Sequence, residues 1–189
     1  MKSLIASLRM LVGMTLLTGL VYPLAVTFLA KALFPVQAEG SLVLGEHGVV
    51  GSSLVAQEFK SAKYFWPRPS AVGFNPLPSG GSNLGPTSAE LKKTYDERRA
   101  KQIQDNPLGG EPPQDLLFAS GSGLDPEISP RAAHFQAARV AKARAIDLER
   151  VEKLIEEIKE GRQFAVLGHP RVNVLRLNLA LDKEFGGTP

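Results

Sequence analysis

Two glycine-serine segments are the first places in this 189-residue chain where residue type and spacing suggest chemistry. Ser79-Gly80-Gly81-Ser82-Asn83 could wrap an anion with backbone amides if those amides converge just ahead of a helix. It has no lysine, no GK[ST] ending and no acidic residue placed to hold magnesium, so it is not a P-loop and reads more simply as a structural turn. Ser120-Gly121-Ser122-Gly123 lacks the remaining spacing of a dinucleotide fingerprint. Ser120 or Ser122 with a histidine and Asp125 would be raw material for a hydrolase. No GxSxG elbow surrounds them, and Asp125 beside Pro126 more naturally begins a turn. His47, His134 and His169 are scattered without metal-ligand spacing, and there is no cysteine to join them. Each is read as a surface or packing residue.

Arg131, Gln136, Arg139 and Arg144 fall on neighbouring turns of one expected helix and could together contact a phosphate or carboxylate on a partner. The simpler reading is arginines lying over apolar neighbours. A formal net charge of +3, with acids interspersed among the bases, leaves no footprint for nucleic acid. Tyr64-Phe65-Trp66-Pro67-Arg68 does set aromatics beside a base, but in an extended segment this pattern is packing rather than a base-stacking platform.

The elements that must position these residues begin with an uncharged run from Met10 to Ala30, bracketed by Arg9 and Lys31. As a helix it is roughly 30 Å long, the thickness of a bilayer's hydrocarbon core. A secretory signal would have a shorter apolar stretch, and Lys31 and Pro35 come before the nearest small-residue cleavage pattern at Val36-Gln37-Ala38, so the run is read as an anchor. Lys2 and Arg9 put residues 1–9 in the cytoplasm, 10–30 in the membrane and 31–189 outside the cytoplasm, which is the periplasm of a bacterial inner membrane. Gly13, Gly19 and Pro23 are tolerated in such a helix; they either mark a face that meets a partner helix or are ordinary membrane-helix residues.

Beyond the anchor, the pattern predicts a mixed domain with short strands and several helices, α/β or alternatively α+β. Ser41-Leu44 and Val49-Val55 form a hairpin around Gly45-Glu46-His47-Gly48. Tyr64 to Pro86, rich in proline and carrying Gly80-Gly81, is a long structured loop or recognition surface. Thr87 and Glu90 make a capping box for a helix with Leu91, Tyr95, Arg98 and Gln102 on one face, stopping before Asn106-Pro107. Asp115 to Ala119 is expected as a strand. Ser129-Pro130 starts a helix through Ala133, Ala137, Val140, Ala141 and Arg144. Asp147 caps another that buries Leu148, Val151, Leu154, Ile155 and Ile158 and ends near Gly161. Val172 to Leu181 mixes two periodicities and is read as a helix capped by Asn173.

Several blocks, in order, resemble the KdpC family, the C subunit of the bacterial Kdp potassium-transporting ATPase. They are the membrane run, Gly51-Ser52 through Gln57-Glu58-Phe59, Tyr64-Phe65-Trp66-Pro67-Arg68-Pro69-Ser70-Ala71 and Ser79 through Pro86. They continue with Ala119 through Pro126, Ile128-Ser129-Pro130, Gln136 to Arg144, and Val172 through Asp182. The resemblance implies a non-catalytic accessory subunit whose partners are a potassium-channel-like subunit and a P-type ATPase subunit. It also implies roles in assembly and as a catalytic chaperone that raises the pump's affinity for ATP. No cofactor is implied for the chain alone, and ATP enters only through the complex. Gln136 carries over as a nucleotide-linked position. A periplasmic domain cannot touch cytoplasmic ATP, so the effect is coupled through other subunits, or the orientation is reversed. Trp66 and Pro67 depart from the small or polar residues more usual after the Tyr-Phe pair. The expected partner contacts are Gly13 and Gly19 on the membrane helix, with Tyr64, Trp66, Arg68 and Ser79, Gly80, Gly81, Ser82 and Asn83 on the loop. The competing readings are a membrane-anchored extracytoplasmic enzyme and a secreted binding module cut after Ala38.

Overall fold

The structure is a computed structural model and describes residues 1–45 and 48–187. The chain divides into two units, Met1–Ser52 and Ser53–Pro189, and each is described by itself.

In the first unit, helix α1 (Lys2–Leu16) passes through a π turn (Leu17–Val21) into α2 (Tyr22–Leu33). Together Lys2–Leu33 is the one helix among the described residues long and apolar enough to cross a membrane. The π turn has a local cause. Pro23 has no N–H to donate to Gly19, and its ring would crowd that carbonyl in an ordinary α turn, so the widened turn just before it relieves both. Thr18 donates its hydroxyl to the Met14 carbonyl at 2.7 Å, keeping its polar group inside the helix. Phe34 leaves the helical region ahead of Pro35, as a residue before proline should, and the short α3 (Pro35–Ala38) follows.

Strands β1 (Leu42–Gly45) and β2 (Gly48–Ser52) pair antiparallel with Leu42 opposite Ser52 and Gly45 opposite Gly48, and the register shifts between Val43 and Leu44. The hairpin is thus in the expected place. Its second strand stops at Ser52, short of Val55. The expected turn residues Glu46 and His47 lie outside the described residues.

The second unit packs three helices and an extended segment around one core. In α5 (Pro130–Arg144), Ser129 accepts from the Ala132 amide at 3.0 Å, Pro130 occupies the first turn, and Ala145 closes the end in a left-handed conformation. In α6 (Leu148–Ile158), Val151, Leu154 and Ile155 are buried at helical spacing. In α7 (Val174–Phe185), Asn173 accepts from the Arg176 amide at 3.1 Å. Ala133, Ala137, Val140, Val151, Ile155, Leu177 and Leu181 meet in the core, and Phe65 from the irregular segment joins them, fully buried. Strands β3 (Glu127–Ile128) and β4 (Val172–Asn173) form a second antiparallel pair. The mixed domain is the expected one, and its antiparallel pairing gives it the α+β form.

Helix α4 (Ala89–Asp105) buries no residue completely, but Leu91, Tyr95, Arg98 and Gln102 are the half-buried face that the spacing predicts. The Tyr95 ring sits 5.2 Å from Phe118, and Arg98 donates to the Leu117 carbonyl at 3.0 Å. Three local expectations are corrected. The cap of α4 is Ser88, which accepts from Leu91, one residue later than Thr87, so Glu90 falls one place short of the reciprocal box. Asp115 to Ala119 is not a strand. A 3-10 turn covers Gln114–Leu116, and Leu116 and Leu117 are both buried, whereas a strand would send neighbours to opposite faces. Leu148 is 40 % exposed, because the buried stripe of α6 begins only at Val151 and the residues before it, Leu148 to Arg150, are all exposed.

Candidate functional site

An amide side chain carries a donor and an acceptor, so it can pair with a backbone peptide as a neighbouring strand would. Gln136 of α5 does this to Trp66: the Trp66 N–H donates to Gln136 Oε1 at 2.8 Å, and Gln136 Nε2 donates to the Trp66 carbonyl at 3.1 Å. Asn178 of α7 does the same one residue earlier, accepting from the Phe65 N–H at 2.8 Å and donating to the Phe65 carbonyl at 3.0 Å. Gln136 is fully buried and Asn178 nearly so. The extended segment is therefore held from two helices, and its backbone groups are satisfied without a strand partner.

Two arginines complete the clamp. Arg139 lies over the Trp66 ring at 3.7 Å, bonds the Ala62 and Tyr64 carbonyls at 2.8 and 3.0 Å, and reaches Asn106 Oδ1 and Gln136 Oε1. Burial pulls its pKa down to about 10. Arg144 bonds the Lys63 carbonyl at 2.7 Å, pairs with Asp182 at 2.6 Å, and faces the Tyr64 ring at 5.0 Å. Tyr64 in turn donates its hydroxyl to Asp182 at 2.9 Å. Burial first, then this bond to a carboxylate, raises the phenol's pKa. The arginines neither wait for a phosphate nor lie idle over apolar neighbours; they hold residues 62–66. Arg131 is exposed on the opposite part of α5 and is not brought into this group.

The glycine-serine segments pack on each other. The Gly80 amide donates to the Ser122 carbonyl at 2.9 Å, and a Cβ on Gly81 would stand 3.1 Å from the Gly121 carbonyl oxygen. Gly123, at φ +70, leaves no room at all, since a Cβ there would meet Val72 at 2.6 Å and the Gly80 carbonyl oxygen at 2.8 Å. These glycines permit two backbones to touch, and the Gly80 amide is spent on that contact. Arg68 pairs with Asp125 at 2.9 Å beside them, and Asp125 also accepts from the Glu127 amide at 3.0 Å. Ser82 and Asn83 are exposed. No group of three His, Asp or Glu among the described residues could hold a metal. His134 pairs with Glu156 at 3.1 Å.

A cleft of about 620 Å³ opens beside the clamp, between the end of α4 and α5, with Asn106, Leu108, Phe135, Arg139 and Lys142 in its wall. Arg139 in that wall is already engaged with Trp66, Ala62, Tyr64, Asn106 and Gln136, so the cleft borders a braced scaffold.

The family model for the c chain of the K+-transporting ATPase, KdpC, matches residues 4–183, from the start of the membrane helix to near the end of α7. The chain belongs to the KdpC family. The potassium-transporting ATPase KdpC subunit of Citrifermentans bemidjiense is 53% identical over 188 residues, covering 97% of this chain and 98% of the relative. Those of Myxococcus xanthus and Rhodospirillum rubrum are each 51% identical, covering 100% and 98% of this chain and 91% and 97% of theirs. As a KdpC-family chain it is a non-catalytic accessory subunit, and the one membrane-length helix among its described residues supports a single-pass inner-membrane topology.

Within this KdpC-family chain, the expected site residues fall into separate groups. Tyr64, Trp66 and Gln136 meet in the clamp, and Arg68 pairs with Asp125, just past the second glycine-serine segment. Gly13 and Gly19 stand on the membrane helix with nothing within 4 Å of a Cβ at either position. Asn178 and Asp182 were missed as partners of the aromatic segment. The available signal was two polar residues, four apart, interrupting the apolar face formed by Val174, Leu177 and Leu181.

Proposed function

We propose that this chain assembles with the channel-like and P-type ATPase subunits of a potassium-transporting pump and stabilises their complex. The observation that carries the reading is the near full-length match to KdpC subunits together with the single span at Lys2–Leu33. The N-terminus lies in the cytoplasm and the domain in the periplasm, a direction supported by Lys2 and Arg9 ahead of the apolar run. The membrane helix meets the channel-like subunit through its glycine positions, Gly13 and Gly19. The outer side of the Tyr64–Pro86 segment, with Ser82 and Asn83 exposed, docks above it.

The pump's affinity for ATP rises through this docking rather than through a nucleotide held by the chain. The supporting fact is the place of Gln136: its amide is wholly buried and engaged with Trp66, Ala132 and Arg139. A nucleotide effect of this residue is then transmitted by the segment it holds. The test is a pull-down of the C-terminally tagged chain from detergent-solubilised membranes, with protease access to the tag read in intact spheroplasts. Copurification of a P-type ATPase and a channel-like protein, with a tag cleaved from outside, is the expected result. A chain recovered alone would overturn the assembly role, and a protected tag would overturn the orientation.

A further inference from the structure

Between α6 and β4 the residues from Gly161 to Pro170 leave the packed domain as a finger, all of them exposed. Its base is braced. Glu160 and Arg171 exchange backbone hydrogen bonds of 2.9 and 3.0 Å. Their side chains pair at 2.9 Å and extend to Glu127 on β3 at 2.7 Å and Arg176 on α7 at 3.0 Å. Its tip is a tight turn in which Gln163 and Leu167 exchange two backbone bonds of 2.9 Å. Phe164 and Ala165 lie there at φ 53 and 64, a left-handed conformation unfavourable for residues with a Cβ. The turn presents Phe164, Val166 and Leu167, which are 88%, 70% and 57% exposed. Single exposed apolar residues are ordinary, but a consecutive Phe-Ala-Val-Leu on a braced and strained turn is a directed surface.

We propose that this finger inserts Phe164, Val166 and Leu167 into the headgroup region of an anionic bilayer, as a second membrane contact of the chain. Three observations select lipid over a protein partner. The apex offers Phe164, Val166 and Leu167 on one short turn, apolar area that a bilayer interface takes up without a shaped pocket. Its flanks carry Arg162 and His169, and no acidic residue lies between Gly161 and Pro170, which suits phosphate headgroups. The chain is already anchored by its own span, so lipid is present at high effective concentration whichever side the domain occupies.

Because the chain has no cysteine, Val166→Cys in the full-length protein takes a single environment-sensitive fluorophore. Lys153→Cys on α6, where the side chain is 79% exposed, serves as the control. In vesicles of phosphatidylcholine with phosphatidylglycerol, the label at 166 emits to the blue of the control, resists iodide on both faces and is quenched by lipids bearing acyl-chain nitroxides. Equal emission and equal iodide quenching at the two positions would overturn the proposal. A label shielded only in the reconstituted pump, and indifferent to nitroxide lipids, would also overturn it and identify a protein as the occupant. Arg162→Glu reduces nitroxide quenching in the mixed vesicles and leaves it unchanged in phosphatidylcholine alone; no change in either would remove the electrostatic part.

Discussion

Gln136 and Trp66 exchange two hydrogen bonds, 2.8 Å from the Trp66 N–H to Oε1 and 3.1 Å from Nε2 to the Trp66 carbonyl, so a helix side chain stands in for a strand. Gln136→Leu keeps the volume and removes both bonds. It should cost about 2 kcal/mol or more, since unmade buried hydrogen bonds are the expensive kind. Trp66 is the only tryptophan in the chain, so its emission reports the clamp directly and should shift to the red. Denaturant unfolding in detergent checks the stability. Wild-type stability with unshifted emission would show that the clamp contributes nothing.

The bond from Tyr64 to Asp182 makes a pH prediction. The folded phenol's pKa lies above its ordinary value of 10.0, chiefly through burial and then through the carboxylate. Between the unfolded and folded values the folded chain holds the proton that the unfolded chain has lost, so stability falls as pH rises through that window. Its contribution is intact below pH 10 and disappears above the folded value. Tyr64→Phe should lose about 1 kcal/mol at neutral pH with the hydrogen bond, and its stability should decline less steeply in alkali. Unfolding curves across the alkaline range decide it; parallel declines in both proteins would refute the assignment.

The elements were legible wherever one local rule governed them. Ser129-Pro130 and Asn173 announced two helices by cap chemistry, and the face of Val151, Leu154 and Ile155 announced a third by spacing. Asp115 to Ala119 failed because adjacent leucines look like a strand core until tertiary packing buries both in a turn. The clamp was half legible. Gln136, Arg139 and Arg144 stand out together, but the segment they hold lies 70 or more residues away in sequence, as in Gln136 with Trp66 and Arg144 with Lys63. No periodicity encodes a contact between a helix side chain and the backbone of an irregular segment.

The contact between the two glycine-serine segments separates glycines that are needed from glycines that are tolerated. Gly123→Ala places a methyl against Val72 and the Gly80 carbonyl at a positive φ, and should cost about 1–3 kcal/mol from overpacking and backbone strain. Gly121→Ala meets nothing within 4 Å and should be close to neutral. Thermal melting of the two variants is enough. Equal stability would mean the segments do not touch in solution.

The membrane helix gives the sharpest separation between stability of the chain and stability of the complex. Gly13 and Gly19 have no neighbour within 4 Å of a Cβ, so within the chain a larger side chain at either position has room. Small residues on a membrane helix gain their value when another helix comes close, because packing contacts rather than the hydrophobic effect drive association in lipid. Gly13→Leu and Gly19→Leu should therefore leave membrane insertion and domain melting unchanged while reducing copurification of the channel-like subunit. Gly19 should be the more sensitive, because it lies in the π turn before Pro23 and a substituent there also meets the altered backbone. Quantitative pull-down against melting of the isolated chain distinguishes the outcomes. Undiminished copurification of both variants would move the membrane interface to another face of the helix, and loss of insertion would assign the glycines to the helix itself.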